Sequence, residues 1–237
     1  MTVKLSSVYS SAHLMYIDNR SLDAYGNAII RDFAPELLIE PQPVNIEAFI
    51  GDYLGLPEME YQRLSLDGRV HGMTAFDTGL IEVIHDDTNK PKKIPVKAGT
   101  ILIDISLADE KGEHRRRFTT MHEASHWLLH RSIPIPTGYD PAEPSEEGFM
   151  MERQVDFLAS TLLMPLSAVR IAFRNYFAFY AMKPRQIVRN ASVWDNLIAA
   201  QLPEYLEKTF NVSPEAAMIR LEKLNALVDG EPMKLSV

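Results

Sequence analysis

Arg117-Phe118-Thr119-Thr120-Met121-His122-Glu123-Ala124-Ser125-His126-Trp127-Leu128-Leu129-His130 sets two histidines four residues apart, with Glu123 directly after the first. If the stretch is helical, at roughly 3.6 residues per turn, both imidazoles leave one face about one turn apart. Two such rings can hold one Zn²⁺ at ~2.0–2.1 Å. The offset of Glu123 puts its carboxylate beside the ion rather than on it, where it can take a proton from metal-bound water. The pentapeptide H-E-x-x-H does not decide alone, because an ordinary helix with two hydrogen-bonded histidines fits it as well. A hydrolytic zinc site needs a helical context and a third protein ligand, and the flanking sequence has to supply both.

The chain of 237 residues has no cysteine, which leaves histidine and carboxylate as metal ligands and excludes disulfides. With 46% hydrophobic and 24% charged residues it reads as a soluble globular protein of one or two domains. The first residues, Met1-Thr2-Val3-Lys4-Leu5-Ser6-Ser7, lack the charged-then-apolar pattern of a leader. No uncharged apolar run approaches the ~18–20 residues that span a bilayer. The expectation is a cytoplasmic protein with no membrane partner. A formal net charge of −8 offers nucleic acid no overall basic surface, so direct nucleic-acid binding is not expected unless a local basic patch supplies it.

Upstream of the motif, Ser21 caps a helix over 22–33 with Leu22, Tyr25, Ile29 and Phe33 on one face, although Gly26 weakens it. Asn45 caps a second, with Ile46, Phe49, Ile50 and Tyr53 at helical spacing. The period then changes. Residues 63–66 lead into Asp67-Gly68, a hairpin signal, and 78–84 and 100–106 read as strands. In the last, Ile101, Ile103 and Ile105 alternate with Leu102, Asp104 and Ser106. The lysine-bearing segment 86–99 reads as a hairpin loop. Arginines 115–117 oppose the helix dipole, so the motif helix is expected to start earlier, near Asp109. That run either faces solvent or meets an acidic substrate segment or nucleic acid.

Downstream, Pro134, Pro136, Pro141 and Pro144 exclude a regular helix or central strand over 131–148, leaving a connector or a lid. Helices are expected over 151–163, over 168–181 (aromatic-rich, core or groove floor), after Pro184 to near Pro203, and over 205–210. Ser213-Pro214-Glu215 starts the last helix, lined by Met218, Leu221, Leu224 and Leu227. The stretch 205–227 can be a packing element or a helix-turn-helix, with Arg220 and Lys223 its only basic residues after the turn. A loose tail follows Gly230.

Glu152 and Asp156 stand at i and i+4, away from or bordering the apolar stripe of their helix. One can ligate zinc while the other accepts the N–H of a ligating histidine. The motif segment together with Glu152-Arg153-Gln154-Val155-Asp156-Phe157-Leu158-Ala159-Ser160-Thr161-Leu162-Leu163-Met164-Pro165 resembles the ImmA/IrrE family of metallopeptidases, with its R-F-T-x-x-H-E-x-x-H-x-x-L-H segment and later E-x-x-A-x-x-F-A-x-x-L-L-M-P helix. The resemblance implies zinc ligands His122, His126 and Glu152, with Glu123 as the catalytic acid/base and Asp156 orienting a ligating histidine. It implies an α+β, mostly helical, zincin-like domain with a small antiparallel sheet before the H-E-x-x-H helix. The division would be a helical lead-in over 1–57, a catalytic core over 58–183 and a helical segment over 184–237, the last either separate or packed on the core as one domain. This chain departs from the family at Ser125, where Gly is usual, and at Val155 and Leu158 in place of Ala and Phe.

The chemistry implied is peptide hydrolysis with one Zn²⁺ per chain. The ion lowers the pKa of its water toward ~7, and Glu123 takes the water proton and returns it to the leaving amine. Tyr139, His114 and His130 are the candidates for a second oxyanion donor. Family members are tied to helix-turn-helix repressors, in mobile elements or stress responses, so the resemblance implies such a repressor as substrate. The alternatives are a regulatory protein that binds a repressor or DNA without cleaving it, and a metal-free relic of the fold.

Overall fold

The computed structural model describes residues 16–132 and 146–230, together with two short strands, β1 (Tyr9–Ser10) and β2 (His13–Leu14), that pair antiparallel. Residues 133–145, most of the expected proline-bearing segment and including Tyr139, lie outside the described residues, as does the tail 231–237. Helix α1 (Asn19–Phe33) begins three residues earlier than its pattern suggests, because the cap is Asp18 and not Ser21. The Asp18 carboxylate accepts from the Ser21 N–H at 2.9 Å. Asn45 does cap the next turn, accepting from the Ala48 N–H at 3.0 Å, and α2 (Ile46–Ala48) widens into a π turn over Phe49–Tyr53.

The sheet is where sequence and structure part. Strands β3 (Glu60–Gln62) and β4 (Gly72–Thr74) flank Asp67-Gly68 but do not pair with each other. The later strand β7 (Ile101–Asp104) lies between them, parallel to β3 and antiparallel to β4, so the sheet is mixed rather than wholly antiparallel. Burial explains the order. Ile101 and Ile103 face the helical core while Leu102 faces a second cluster with Leu64, Val83 and Val96. A strand covered on both faces belongs in the centre. Each of its three fully buried side chains contributes roughly 2 kcal/mol. Ile105, expected on the strand, instead opens a 3₁₀ turn (Ile105–Leu107) and is exposed.

The second cluster lies under a hairpin of β5 (Gly79–Ile84) and β6 (Pro91–Val96). The middle of the segment expected as a loop, Pro91–Val96, is therefore a strand. Its alternation is masked by Lys92 and Lys93 and by two prolines, which an edge strand tolerates.

A 3₁₀ turn capped by Asp109 precedes α3 (Glu113–His130), which carries the H-E-x-x-H motif. Helix α4 (Glu146–Leu163) starts five residues before the expected 151, inside the segment expected to be irregular, because the last proline of that segment is Pro144, and it packs against α3 and α1. At Gly26 helix α1 lies close against α4, since a Cβ there would sit 2.3 Å from Thr161 Cγ2. Helix α5 (Leu166–Phe179) leads to an unforeseen strand, β8 (Ile187–Arg189). Helix α6 (Val193–Phe210) runs unbroken through Pro203, where a stop was expected. The lost backbone bond is offset by burial of Leu202, Leu206 and Phe210. Helix α7 (Pro214–Lys223), capped by Ser213, is followed by β9 (Leu227–Asp229), parallel to β8, so Leu227 packs from a strand and not from the helix.

Of the two basic residues after the α6–α7 turn, Arg220 packs into the core. Arg220 is 1% exposed, with its Nη2 2.6 Å from Asp23 Oδ1 on α1 and its Nε donating to the Met164 carbonyl. It cannot reach a phosphate. One apolar cluster takes in residues from α1 through β9. Among the described residues no single helix is long and apolar enough to cross a membrane.

Candidate metal centre

The i, i+4 spacing on α3 brings the imidazoles of His122 and His126 to a centroid separation of 4.8 Å, with their Nε2 atoms 3.2 Å apart. Glu152 on α4 reaches across to the same point, with Oε2 3.2 Å from His122 Nε2 and Oε1 3.5 Å from His126 Nε2. Three donors on one tetrahedral Zn²⁺ at ~2.0–2.1 Å would stand about 3.3 Å from one another. The observed spacing is compatible with three donors around one small cation. The donor types, two imidazole nitrogens and a carboxylate, are ones that Zn²⁺ takes.

The outer contacts fix which nitrogens face that point. His122 Nδ1 donates to Asp156 Oδ1 at 2.9 Å, so Nε2 is turned to the cluster. His126 Nδ1 lies 3.2 Å from Nδ1 of His130. With His126 Nε2 committed to the cluster, its proton sits on Nδ1 and His130 Nδ1 accepts it. His130 is buried with Gln154 beside its ring, and burial followed by the nearby His126 holds its pKa down to about 3, in the neutral form an acceptor needs. For His122, burial alone would lower the pKa, but the hydrogen bonds to Asp156 and Glu152 outweigh it and push it up to about 10. Glu152 moves the opposite way. Burial would raise its pKa, and the bonds to His122 and His126 bring it well below the usual carboxylate range.

Glu123 stays out of the cluster and is buried against β4. The Thr74 hydroxyl lies 2.7 Å from Glu123 Oε2 and 2.9 Å from the Glu123 carbonyl oxygen, and can donate to either. Gly72 supplies the room. A Cβ there would sit 2.6 Å from Thr119 Cγ2 and 2.7 Å from Glu123 Oε1. Neither Thr74 nor Gly72 was visible as a site residue, because their role depends on a strand 49 residues upstream meeting α3. Ser125 does not crowd the helix contact, since its hydroxyl folds back to donate to the Met121 carbonyl at 2.8 Å.

These groups lie in a cleft of about 690 Å³ between β4, α3 and α4, lined also by Arg69, His71, Phe76, Arg115 and Met151. Strand β4 is the edge of its sheet. His71 and Ala75 bond inward to β7, so by the two-residue period of a strand Gly72 and Thr74 turn their backbone groups to the open edge. Two expected oxyanion donors are elsewhere. His114 pairs with Glu207 on α6, and His130 is sealed behind His126. The aromatics of α5 do not line the cleft.

A family model described as the IrrE N-terminal-like domain, of the M78 peptidases, matches residues 103–222, half of the chain and every member of the metal cluster. No curated protein matches the chain.

Proposed function

Because the chain belongs to the M78 peptidase family of IrrE N-terminal-like domains, we propose that it is a zinc-dependent endopeptidase that cuts an extended segment of a protein substrate. The observation that carries this reading is the convergence of His122, His126 and Glu152 to 3.2–3.5 Å with a separate carboxylate, Glu123, held in the same cleft. A bound divalent ion supplies Lewis acidity there, polarising a carbonyl and acidifying a water. The chain's own groups do the rest. Glu123 takes a proton from the attacking water onto its carboxylate and passes it to the leaving amine. Asp156 and His130 hold the two imidazoles in register through their Nδ1–H groups. The outward backbone groups of Gly72 and Thr74 offer an extended peptide a strand to pair with, placing its carbonyl beside Glu123.

The first substrate to test is a helix-turn-helix repressor, the class implied by the family resemblance. Glu123→Gln keeps the shape of the side chain and removes its basicity. It is expected to retain one ion per chain while cleavage falls by at least ~10³-fold. Undiminished cleavage by that variant would remove Glu123 from the mechanism, and a wild-type protein that binds the ion but cuts no peptide would leave a binding function only.

A further inference from the structure

The three consecutive arginines at the head of α3 are not equivalent. Arg116 Nη1 donates to the carbonyls of Leu107 and Asp109, at 2.9 and 3.1 Å. Arg117 ties α3 to two distant segments, with Nε on the Asn211 carbonyl at 2.9 Å and Nη2 on the Val44 carbonyl at 2.8 Å. Both are structural. Arg115 is exposed, and among the described residues no carboxylate pairs with it. It lines the cleft.

Its place there follows from the helix. Arg115, Phe118 and His122 stand at i, i+3 and i+7, on one face, so Arg115 is roughly 10 Å along the axis from the metal cluster. Strand β4 and α3 run side by side in the same direction. Gly72 abuts Thr119, Thr74 meets Glu123, and Phe76 stacks on Trp127 at 6.4 Å. The residues just before β4, Arg69 and His71, therefore face Arg115 across the upstream end of the cleft, and Arg115 is near enough to His71 to lower its pKa further after burial has lowered it. Asp67 engages Arg69 at 3.2 Å, which leaves Arg115 as the uncompensated charge. Opposite it, His71 Nδ1 is buried with no hydrogen-bond partner among the described residues. An exposed arginine at the end of the cleft, unpaired among the described residues, in a chain of net charge −8, fits an anionic ligand group.

We propose that this end of the cleft is a carboxylate subsite, in which Arg115, flanked by His71 and Arg69, receives an acidic group of the substrate about three residues beyond the scissile bond. The spacing is the ~10 Å between Arg115 and the metal cluster divided by ~3.3 Å per residue of extended peptide. The direction follows from pairing on β4. An antiparallel partner, the more stable arrangement, runs toward Arg115, so the acidic group lies on the C-terminal side of the cut. The group is an Asp or Glu side chain or the terminal carboxylate of a short peptide. The inference rests on the endopeptidase reading for its position and on Arg115 for its chemistry.

The test uses the zinc-loaded full chain and short synthetic peptides with randomised positions, prepared with free and with amidated C-termini. Cleavage products are read by mass spectrometry. Cuts are expected to favour an acidic residue about three positions downstream by roughly fivefold, the scale of one accessible ion pair. Arg115→Gln should flatten the preference and Arg115→Glu should turn it toward Lys and Arg. A preference confined to free C-termini assigns the subsite to a terminal carboxylate, and one that survives amidation assigns it to a side chain. In parallel, Glu123→Gln protein with and without Arg115→Glu is used to capture the same peptides. Capture of acidic peptides that Arg115→Glu abolishes, without cleavage by the wild type, sustains the subsite and refutes the peptidase. Cleavage with the same profile in wild type and Arg115→Glu refutes the subsite and sustains the peptidase. Neither capture nor cleavage refutes both.

Discussion

Glu123 is confined by a donor and by a missing side chain, and each can be tested apart from the metal. Thr74→Val removes the hydroxyl 2.7 Å from Oε2 with little change of shape, and Gly72→Ala drives a methyl toward Oε1. Both variants are expected to keep the metal and the fold and to lose roughly 10–100-fold in kcat, as misplacing a reacting group by about an ångström does. Steady-state kinetics beside elemental analysis checks this, and a loss of metal in either variant would make them structural. His130 acts one step further out, as the acceptor for His126 Nδ1–H. His130→Leu should weaken metal affinity about 10–100-fold in a chelator competition, with partial recovery in His130→Gln, whose amide oxygen can accept. The proton on His122 gives a third handle. In the metal-free protein its pKa is pushed up to about 10, so at neutral pH the ion must displace a proton. Apparent affinity therefore rises with pH until about 10 and levels off above it, and calorimetry in buffers of different ionisation enthalpy should show about one proton released per ion at pH 7.

Helices α3 and α4 were legible because their information is local. A metal held by His122 and His126 requires a four-residue spacing, and Glu152 and Asp156 betray themselves as two acids on one helix side with no packing reason to be there. The strands were not legible. Glu60–Gln62 and Gly72–Thr74 are joined by an apparent hairpin turn, yet the strand that separates them comes from Ile101–Asp104, and only its burial on both faces forces that order. Strands β8 and β9, 40 residues apart at Arg189 and Asp229, support each other and leave no local signature. For the same reason Thr74, Gly72 and His71 escaped notice as site residues. Gly26 shows the opposite conflict, a poor helix former kept because α1 and α4 touch there. Gly26→Ala gains up to about 1 kcal/mol of helix propensity but places a Cβ 2.3 Å from a β-branched side chain whose hydroxyl already binds Asp23. The clash is expected to win, with a net loss of about 1–3 kcal/mol in denaturant unfolding. A stabilised variant would mean the helices can part without cost.

Across the whole molecule, the site is held by contacts that join the ends of the chain. Arg220 on α7 and Asp23 on α1 form a buried ion pair that is extended by Thr161 on α4, the same helix that carries Glu152. Removing one partner strands the other, so Asp23→Ala should cost about 3–5 kcal/mol in chemical denaturation. Arg117 on α3 in turn anchors the segments around Val44 and Asn211. Elements α1 and α7 thus brace α4, and the segments before α2 and before α7 brace α3. On the proposed function, that bracing serves the capture of one ion by His122, His126 and Glu152, and elemental analysis of the purified full chain tests this most directly. The account predicts about one zinc per chain in the wild type and in Glu123→Gln, and a large loss in His126→Ala and in Glu152→Ala, each still folded by circular dichroism. Zinc absent from the wild type after exposure to the ion, or retained at one per chain in folded His126→Ala, would contradict it.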